Sequence, residues 1–285
     1  MTVLVTGASG MIGTALSKNL CENGYRVIGV DMREGTFTSP RYIHEFADLA
    51  SYDALTRIFD TYDPDRVIHL AALAHSNGKK LKYEDYHRAN VVCAEQVFIA
   101  AASRNIPILH ISTADVYGFV KGIASSSTEL HPVSAYGKTK AEAERRLRQV
   151  CDFHKTPYTV FRFQPVYTPE IKRDIQKRYY LKYPGVAYTL GKGSEFEVLS
   201  IDEAVRRMTL WLSDEPCCDV HNVKDAALLR TAEQISAERA AGRARRVLRI
   251  PRPLASAALA VLLCLTGKNK YTYLLNKAVN PLRTE

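Results

Sequence analysis

The sequence predicts an α/β fold, a doubly wound parallel sheet followed by a smaller C-terminal lobe. Three observations carry that prediction. The chain opens on a short β-branched run, "TVLVTG", that leads straight into a glycine-bearing helical pattern. Short apolar strands then alternate with helical segments to about residue 165, the rhythm of βαβ units with right-handed crossovers. After Gln164 the rhythm stops, and a segment rich in Lys, Arg and Tyr follows.

The elements follow in order. "TVLVTG" reads as a buried strand and "GMIGTALSKNLCENG" as a helix closed by Gly24. "YRVIGVD" is a second strand and "RYIHEFADL" a third. "SYDALTRIFD" is helical, and "DRVIHLAAL" is the fourth strand. A long helical pattern runs from about 84 to 103, "IPILHIS" is the fifth strand, a helix spans about 134–154, and "YTVFRF" is the sixth strand. Later, "EVLSIDEAVRRMTLWL" reads as a strand leading into a helix, "DVHNV" as a short strand, and the region near 231–241 as a helix. The expected division is a Rossmann-like nucleotide-binding domain over 1–165 and a substrate-binding lobe over 166–285. Segments near 198–241 return in part to the first domain.

Composition sets outer limits. The 285 residues are 46% hydrophobic and 24% charged, ordinary globular values that exclude wholesale disorder. The formal charge of +9 favours anionic partners. No nucleic-acid-binding signature accompanies it, so nucleic acid is not an expected partner. The six cysteines are scattered, with no C-x-x-C and no histidines at zinc spacing, so no metal site is expected. Reduced thiols point to the cytoplasm. "MTVLVTGASG" enters a strand at once, leaving no room for a signal peptide. The longest apolar run, Leu254 to Leu265, is shorter than the ~20 residues that span a bilayer, so no transmembrane segment is expected.

Gly7, Gly10 and Gly13 stand in G-x-x-G-x-x-G spacing between the first strand and first helix. Glycines there permit a tight turn and a close approach of a pyrophosphate to backbone N–H groups at a helix N-terminus. Asp31 closes the second strand, where a carboxylate accepts hydrogen bonds from an adenosine ribose and repels a 2′-phosphate. NAD is therefore favoured over NADP, with Arg33 blunting the preference.

Tyr-x-x-x-Lys spacing occurs at Tyr117/Lys121, Tyr136/Lys140, Tyr188/Lys192 and Tyr273/Lys277. A lysine ammonium one helical turn from a tyrosine stabilises the phenolate and lowers a pKa that is otherwise about 10. Such a pair can shuttle a proton while a nicotinamide exchanges a hydride. The chemistry also needs a hydroxyl at the C-terminal end of a strand, where open parallel sheets place their sites. "ILHISTADVYG" supplies Ser112 and Thr113 there, and Tyr136 opens the next long helix. Gly118 follows Tyr117, Gly191 interrupts Tyr188/Lys192, and Tyr273/Lys277 lies in the tail; these three are read as chance spacing.

The set "TGASGMIG", Asp31, "FADL", "HLAAL", Asn90, "STADVYG" and "YGKTK" resembles the extended short-chain dehydrogenase/reductases, and within them the NAD-dependent nucleotide-sugar epimerase/dehydratase group. The strong resemblance covers roughly the first 170 residues. It implies that Gly7, Gly10, Met11, Ile12 and Gly13 hold the pyrophosphate. Asp31 binds the ribose, and Asp48 and Leu49 flank the adenine. Leu70, Ala71, Ala72 and Ser112 line the dinucleotide, and Val166 sits near the nicotinamide. Thr113 is the implied catalytic hydroxyl, Tyr136 the acid/base and Lys140 its electrostatic partner. The resemblance also implies a homodimer built on the two long helices.

Departures sharpen the reading. Dehydratases of the group carry Asp-Glu after the catalytic Thr, whereas this chain has Ala114-Asp115, which disfavours dehydration. The Arg expected after a "GDGS"-like turn is missing: "GKGS" is followed by Glu195, Phe196 and Glu197. Pro165 replaces the motif asparagine. "IKRDIQKRYYLK" offers Lys172, Arg173, Lys177, Arg178 and Lys182, several on one face if helical, and Arg178 with Lys182 is the expected substitute grip. His69, His75 and His110 read as core residues or as supports behind the site, not as ligands. The apolar, basic-flanked tail is expected to pack on the lobe, with an acidic membrane surface as the other option. The expected activity is an NAD-dependent nucleotide-sugar epimerase. A 4-keto nucleotide-sugar reductase using NAD(P)H is the alternative, and a non-catalytic dinucleotide sensor the third.

Overall fold

The computed structural model describes residues 1–35, 37–74, 81–120, 122–171 and 173–285, apart from the Arg173 side chain. His75, Lys121 and Lys172 therefore lie outside the described residues. The first half holds β1 (Thr2–Thr6), α1 (Met11–Glu22), β2 (Arg26–Asp31), β3 (Tyr42–Phe46), α2 (Tyr52–Tyr62) and β4 (Arg66–His69). A continuous helical run follows, built from α3 (Tyr83–His87), a π-helical turn (Arg88–Val92) and α4 (Cys93–Ala102). Then come β5 (Ile108–Thr113), β6 (Ile123–Ala124), α5 (Ala135–His154) and β7 (Tyr158–Phe163).

The second half begins with β8 (Val166–Tyr167), α6 (Arg173–Gln176), β9 (Tyr180–Lys182), β10 (Val186–Leu190), β11 (Glu195–Phe196) and β12 (Leu199–Ser200). It continues with α7 (Ile201–Trp211), β13 (Asp219–Val223), β14 (Leu229–Arg230), α8 (Thr231–Ala240) and β15 (Arg246–Ile250). The tail is α9 (Arg252–Thr266), α10 (Lys270–Val279) and β16 (Arg283–Thr284).

Among the described residues seven parallel strands make one sheet in the order β13-β7-β5-β4-β1-β2-β3. A sheet covered on both faces wants strands apolar throughout, and Val3, Leu4 and Val5 of β1 are fully buried. One face packs Leu55, Phe59, Val97, Phe98 and Leu147 from α2, α4 and α5. The other packs Leu16 and Leu20 of α1 against Val205, Met208 and Trp211 of α7. Trp211 donates its indole N–H to Thr159 Oγ1 at 2.9 Å, and the Arg66 guanidinium lies over its ring.

Capping fixes where the long helices start. Ser134 Oγ accepts from Gly137 N at 2.9 Å and opens α5, and Lys155 closes it in the left-handed region. Ser200 caps α7, with Asp202 and Glu203 in the first turn, where acids suit the helix dipole. The late strand β13 joins the sheet edge beside β7, while Ile235 of α8 packs in a separate lobe cluster with Tyr179, Ala187 and Val198.

The basic segment departs from expectation. Its helix is only α6, after which the chain turns and Tyr180–Lys182 pairs with β10. Tyr179 and Tyr180 are buried in the lobe core, and strand pairing wins over helical spacing there. Beyond the lobe, the tail returns to the first domain: β16 lies parallel to β6, and Glu285 N donates to Ala124 O at 3.0 Å.

Candidate active site

The glycine loop is built for close approach. Gly7 has φ +70°, and a Cβ on it would stand 2.8 Å from the Ala71 backbone. A Cβ on Gly13 would stand 2.2 Å from Gly7 O, so helix and loop touch without side chains between them. Helix α1 has no side-chain cap and no acid in its first turn, which leaves its N-terminal N–H groups and positive dipole end to an anion. Asp31 ends β2 beside this loop, accepting from Ser9 N at 3.1 Å. Arg33 forks onto the same carboxylate, Nε at 3.2 Å from Oδ1 and Nη2 at 3.2 Å from Oδ2. Leu70 and Ala71 follow β4 and donate to Thr6 O and Thr6 Oγ1, both at 3.3 Å, while Ala72 is exposed beyond them. Leu49 is buried, and Asp48 pairs with Arg88 at 3.0 Å.

The π-helical turn brings Asn90 inward. Its side chain clips Leu73, accepting from N at 2.6 Å and donating to O at 3.2 Å, and donates to Thr139 Oγ1 at 3.0 Å. One amide thus ties the loop after β4 to the helix that carries Tyr136 and Lys140. Single π-turns of this kind recur at functional sites.

Thr113 ends β5, and its Oγ1 accepts from Asp115 N at 3.2 Å. Tyr136 is partly buried in the first turn of α5, and among the described residues no protein group takes its hydroxyl. Burial, then the carboxylates of Asp115 and Asp174, push its proton affinity well above that of free tyrosine. Lys140, one turn on, is fully buried and lies 3.2 Å from His110 Nε2. Burial pushes its pKa down to about 7, against the pull of Glu144. In the chain alone, burial is thus the largest influence on both groups, upward for the tyrosine and downward for the lysine.

His69 and His110 belong to the buried core, as their strand positions suggest. Their rings stack 5.4 Å apart with Phe98 edge-on to both, and Thr6 Oγ1 lies 2.8 Å from His69 Nδ1. Burial lowers both pKa values, His69 to about 3. Register explains a second buried network. Ser112, Arg162 and Asn222 stand side by side across β5, β7 and β13. Arg162 forks onto Glu144, with Nη2 at 2.8 Å from Oε2, and donates to Tyr117 Oη, which donates to Asn222 Oδ1. The Ser112 hydroxyl donates to Glu144 as well, so it faces this network beneath α5.

The tail completes the site. Asp115 accepts from Tyr273 Oη at 2.8 Å, from the Lys277 ammonium and from the Ser134 hydroxyl that caps α5. Burial raises the Asp115 pKa, but Lys277 and these donors outweigh it, and the net shift is downward. Thr113, Asp115, Arg178, Glu197, Tyr273 and Lys277 line one cleft with Gln164 and Pro165. The Arg178 guanidinium lies 5.0 Å from the Phe196 ring centroid. Lys182 is exposed on β9, outside this lining. Val166 pairs with Leu199 next to Pro165. The sequence shows the spacing of Tyr273 and Lys277 but not their role, because nothing local tells that the tail returns to the end of β5. Among the described residues no group of three or more His, Cys, Asp or Glu could hold a metal ion.

Known proteins share sequence and fold with this chain. The sequence profile of the NAD-dependent epimerase/dehydratase family matches residues 3–210. A dTDP-4-dehydrorhamnose reductase of Aggregatibacter actinomycetemcomitans is 33% identical over 147 residues, 51% of this chain and 46% of that one. A dTDP-glucose 4,6-dehydratase of Haemophilus influenzae is 31% identical over 180 residues, 55% of this chain and 52% of that one. The chain thus spans about half the length of these curated relatives. A crystal structure of UDP-glucuronic acid 4-epimerase from Bacillus cereus, with UDP-glucuronic acid and NAD, superposes with a TM-score of 0.72 at 25% identity, over 88% of this chain and 86% of that one.

Proposed function

The chain belongs to the NAD-dependent epimerase/dehydratase family, and from that premise we propose that it is an NAD-dependent nucleotide-sugar epimerase. One observation carries the choice within the family. The carboxylate of Asp115 is engaged by Lys277, Tyr273 and Ser134, and Ala114 precedes it, so neither of the two residues directly after Thr113 offers a free acid or base for eliminating water. The tight, uncapped loop of Gly7, Gly10, Met11, Ile12 and Gly13 fits a pyrophosphate, and Asp31 fits a ribose diol. When bound, NAD supplies the acceptor and donor of a hydride.

The chain's own residues handle the proton and the pose. Thr113 Oγ1 holds the reacting sugar oxygen. Tyr136 Oη takes that oxygen's proton and later returns it, and the positive charge of the Lys140 ammonium makes the phenolate accessible. Arg178 stands in the cleft as the cation for the substrate's diphosphate, the part Lys182 is not placed to play. A homodimer through α4 and α5, working in the cytoplasm, belongs to the same reading; a monomeric mass by light scattering would remove the dimer from it.

A 4-keto nucleotide-sugar reductase is the second reading. Arg33 beside Asp31 favours it, since a guanidinium there suits a 2′-phosphate. Identifying the nucleotide released on denaturing the purified protein separates the two. Stoichiometric NAD is expected for the epimerase, whereas a protein that consumes NADPH with a keto sugar is a reductase. Full turnover in Tyr136→Phe would overturn both.

A further inference from the structure

The charge of this protein is segregated. Residues 1–238 carry 29 Lys+Arg and 29 Asp+Glu, whereas residues 239–285 carry ten Lys+Arg and one acid, Glu285. The whole excess of +9 thus resides in the tail. The same tail exposes an apolar helix. Helix α9 buries only Ala255 and Leu259, which pack with Leu190 and Val279. Its outward face carries Leu254, Ala257, Ala258, Val261, Cys264 and Leu265, with relative exposures of 64% for Leu254, 57% for Val261 and 75% for Leu265. From Leu254 to Leu265 the only polar side chain is Ser256. A surface helix of a soluble domain turns polar residues outward, and one apolar on its free face has something to cover it.

We propose that α9 rests on a lipid surface that bears anionic headgroups, with its free face in the acyl boundary and the flanking cations on the headgroups. The flanks carry the argument. Arg245, Arg246 and Arg249 precede the helix and Lys268 and Lys270 follow it; all are exposed, and none meets a carboxylate among the described residues. Cations at both ends of an apolar helix match an interfacial helix, which needs no shaped partner pocket and gains from every nearby anionic lipid. Fifteen helical residues reach about 22 Å, less than the ~30 Å hydrocarbon core, so α9 lies along the surface and does not cross it. Arg252 is the exception among the cations: it holds α9 to the lobe through Val279 O, Gly193 O and Ser194 Oγ.

Vesicle flotation with the full chain tests this. Vesicles of phosphatidylcholine mixed with phosphatidylglycerol should carry the protein up the gradient at least about tenfold better than phosphatidylcholine alone. The preference should vanish at about 1 M salt, where screening acts within ~3 Å. Replacing both Val261→Glu and Leu265→Glu should abolish flotation, and Arg245→Glu with Arg246→Glu and Arg249→Glu should weaken it about tenfold. Each variant is compared by thermal melt, and if the helix variants misfold, the wild-type lipid and salt dependence decides alone. Equal flotation with neutral lipid, or none with anionic lipid, overturns the proposal. So does an oligomer that Leu265→Glu splits while vesicles are ignored, which makes the face a subunit contact, or capture by DNA in place of vesicles. None of these outcomes depends on which sugar reaction the enzyme performs.

Discussion

Two helices carry a tyrosine and a lysine four residues apart, and both meet the loop after β5. In α5, Tyr136 keeps its hydroxyl free of protein partners among the described residues, while Lys140 is sunk against His110. In α10, Tyr273 and Lys277 both spend their polar ends on Asp115. The same spacing serves an available proton-transfer group in one place and a lock in the other. What separates them is the group opposite: Asp115 satisfies the tail pair, and the tail pair leaves Asp115 to brace Ser134, the cap of α5. Gly137 permits that bracing, since a Cβ there would stand 2.8 Å from Asp115 O.

Substitutions can break this comparison. Tyr136→Phe should lower kcat by about 10²–10⁴-fold, the usual worth of a positioned proton-transfer group. Tyr273→Phe should cost no more than about tenfold, because it removes one hydrogen bond of about 1 kcal/mol. Equal losses in the two variants would end the distinction between chemistry and lock. Next in size, Lys277→Met should destabilise the protein by about 1–3 kcal/mol in denaturant titration, by leaving a largely buried carboxylate without its cation. The double change Asp115→Asn with Lys277→Met should recover part of that loss; a simple sum would show that the two do not interact.

The pH dependence of stability sharpens the contrast. The folded-state pKa of Lys140 lies near 7, below its unfolded value. Between about 7 and about 10.4 the unfolded chain holds the extra proton, so stability should rise with pH across that window. Lys140→Met should flatten the rise. Asp115 has the opposite sign: its pKa is lowered on folding, so its contribution is complete above about 4 and is lost as pH falls through the folded value. Smallest of all, Lys192→Ala should change stability by less than about 0.5 kcal/mol and leave turnover intact. Tyr188 lies on strand β10, which ends at Leu190 before Gly191 at φ +58°, so no helical turn joins it to Lys192.

The legible parts of this molecule are local. Glycine spacing, Asp31 at a strand end and Ser134 before an amphipathic run each carry their meaning within a few residues. Arg178 was readable as a cation, but the reason first given for it, an i, i+4 pair with Lys182 on a helix, does not survive the pairing of β9 with β10. The Ser112 hydroxyl could not be aimed from sequence, because strand alternation and register with Arg162 decide which face it takes. Tyr273 and Lys277 lie 158 and 162 residues from Asp115, and no periodicity spans such a gap. The histidines below Lys140 were readable as core, but their stacking depends on β4 and β5 being neighbours.

The chain has a single tryptophan, and its place gives the two halves of the molecule separate spectroscopic voices. Trp211 is packed under the sheet beside α1, with its indole N–H given to Thr159. Its emission should redden when the dinucleotide domain melts and stay unchanged when only the tail lifts from Asp115. A tyrosine-sensitive ultraviolet signal from Tyr273 should move in that second event. Recording both signals on one sample during acidification would order the two transitions in time without a label on either part.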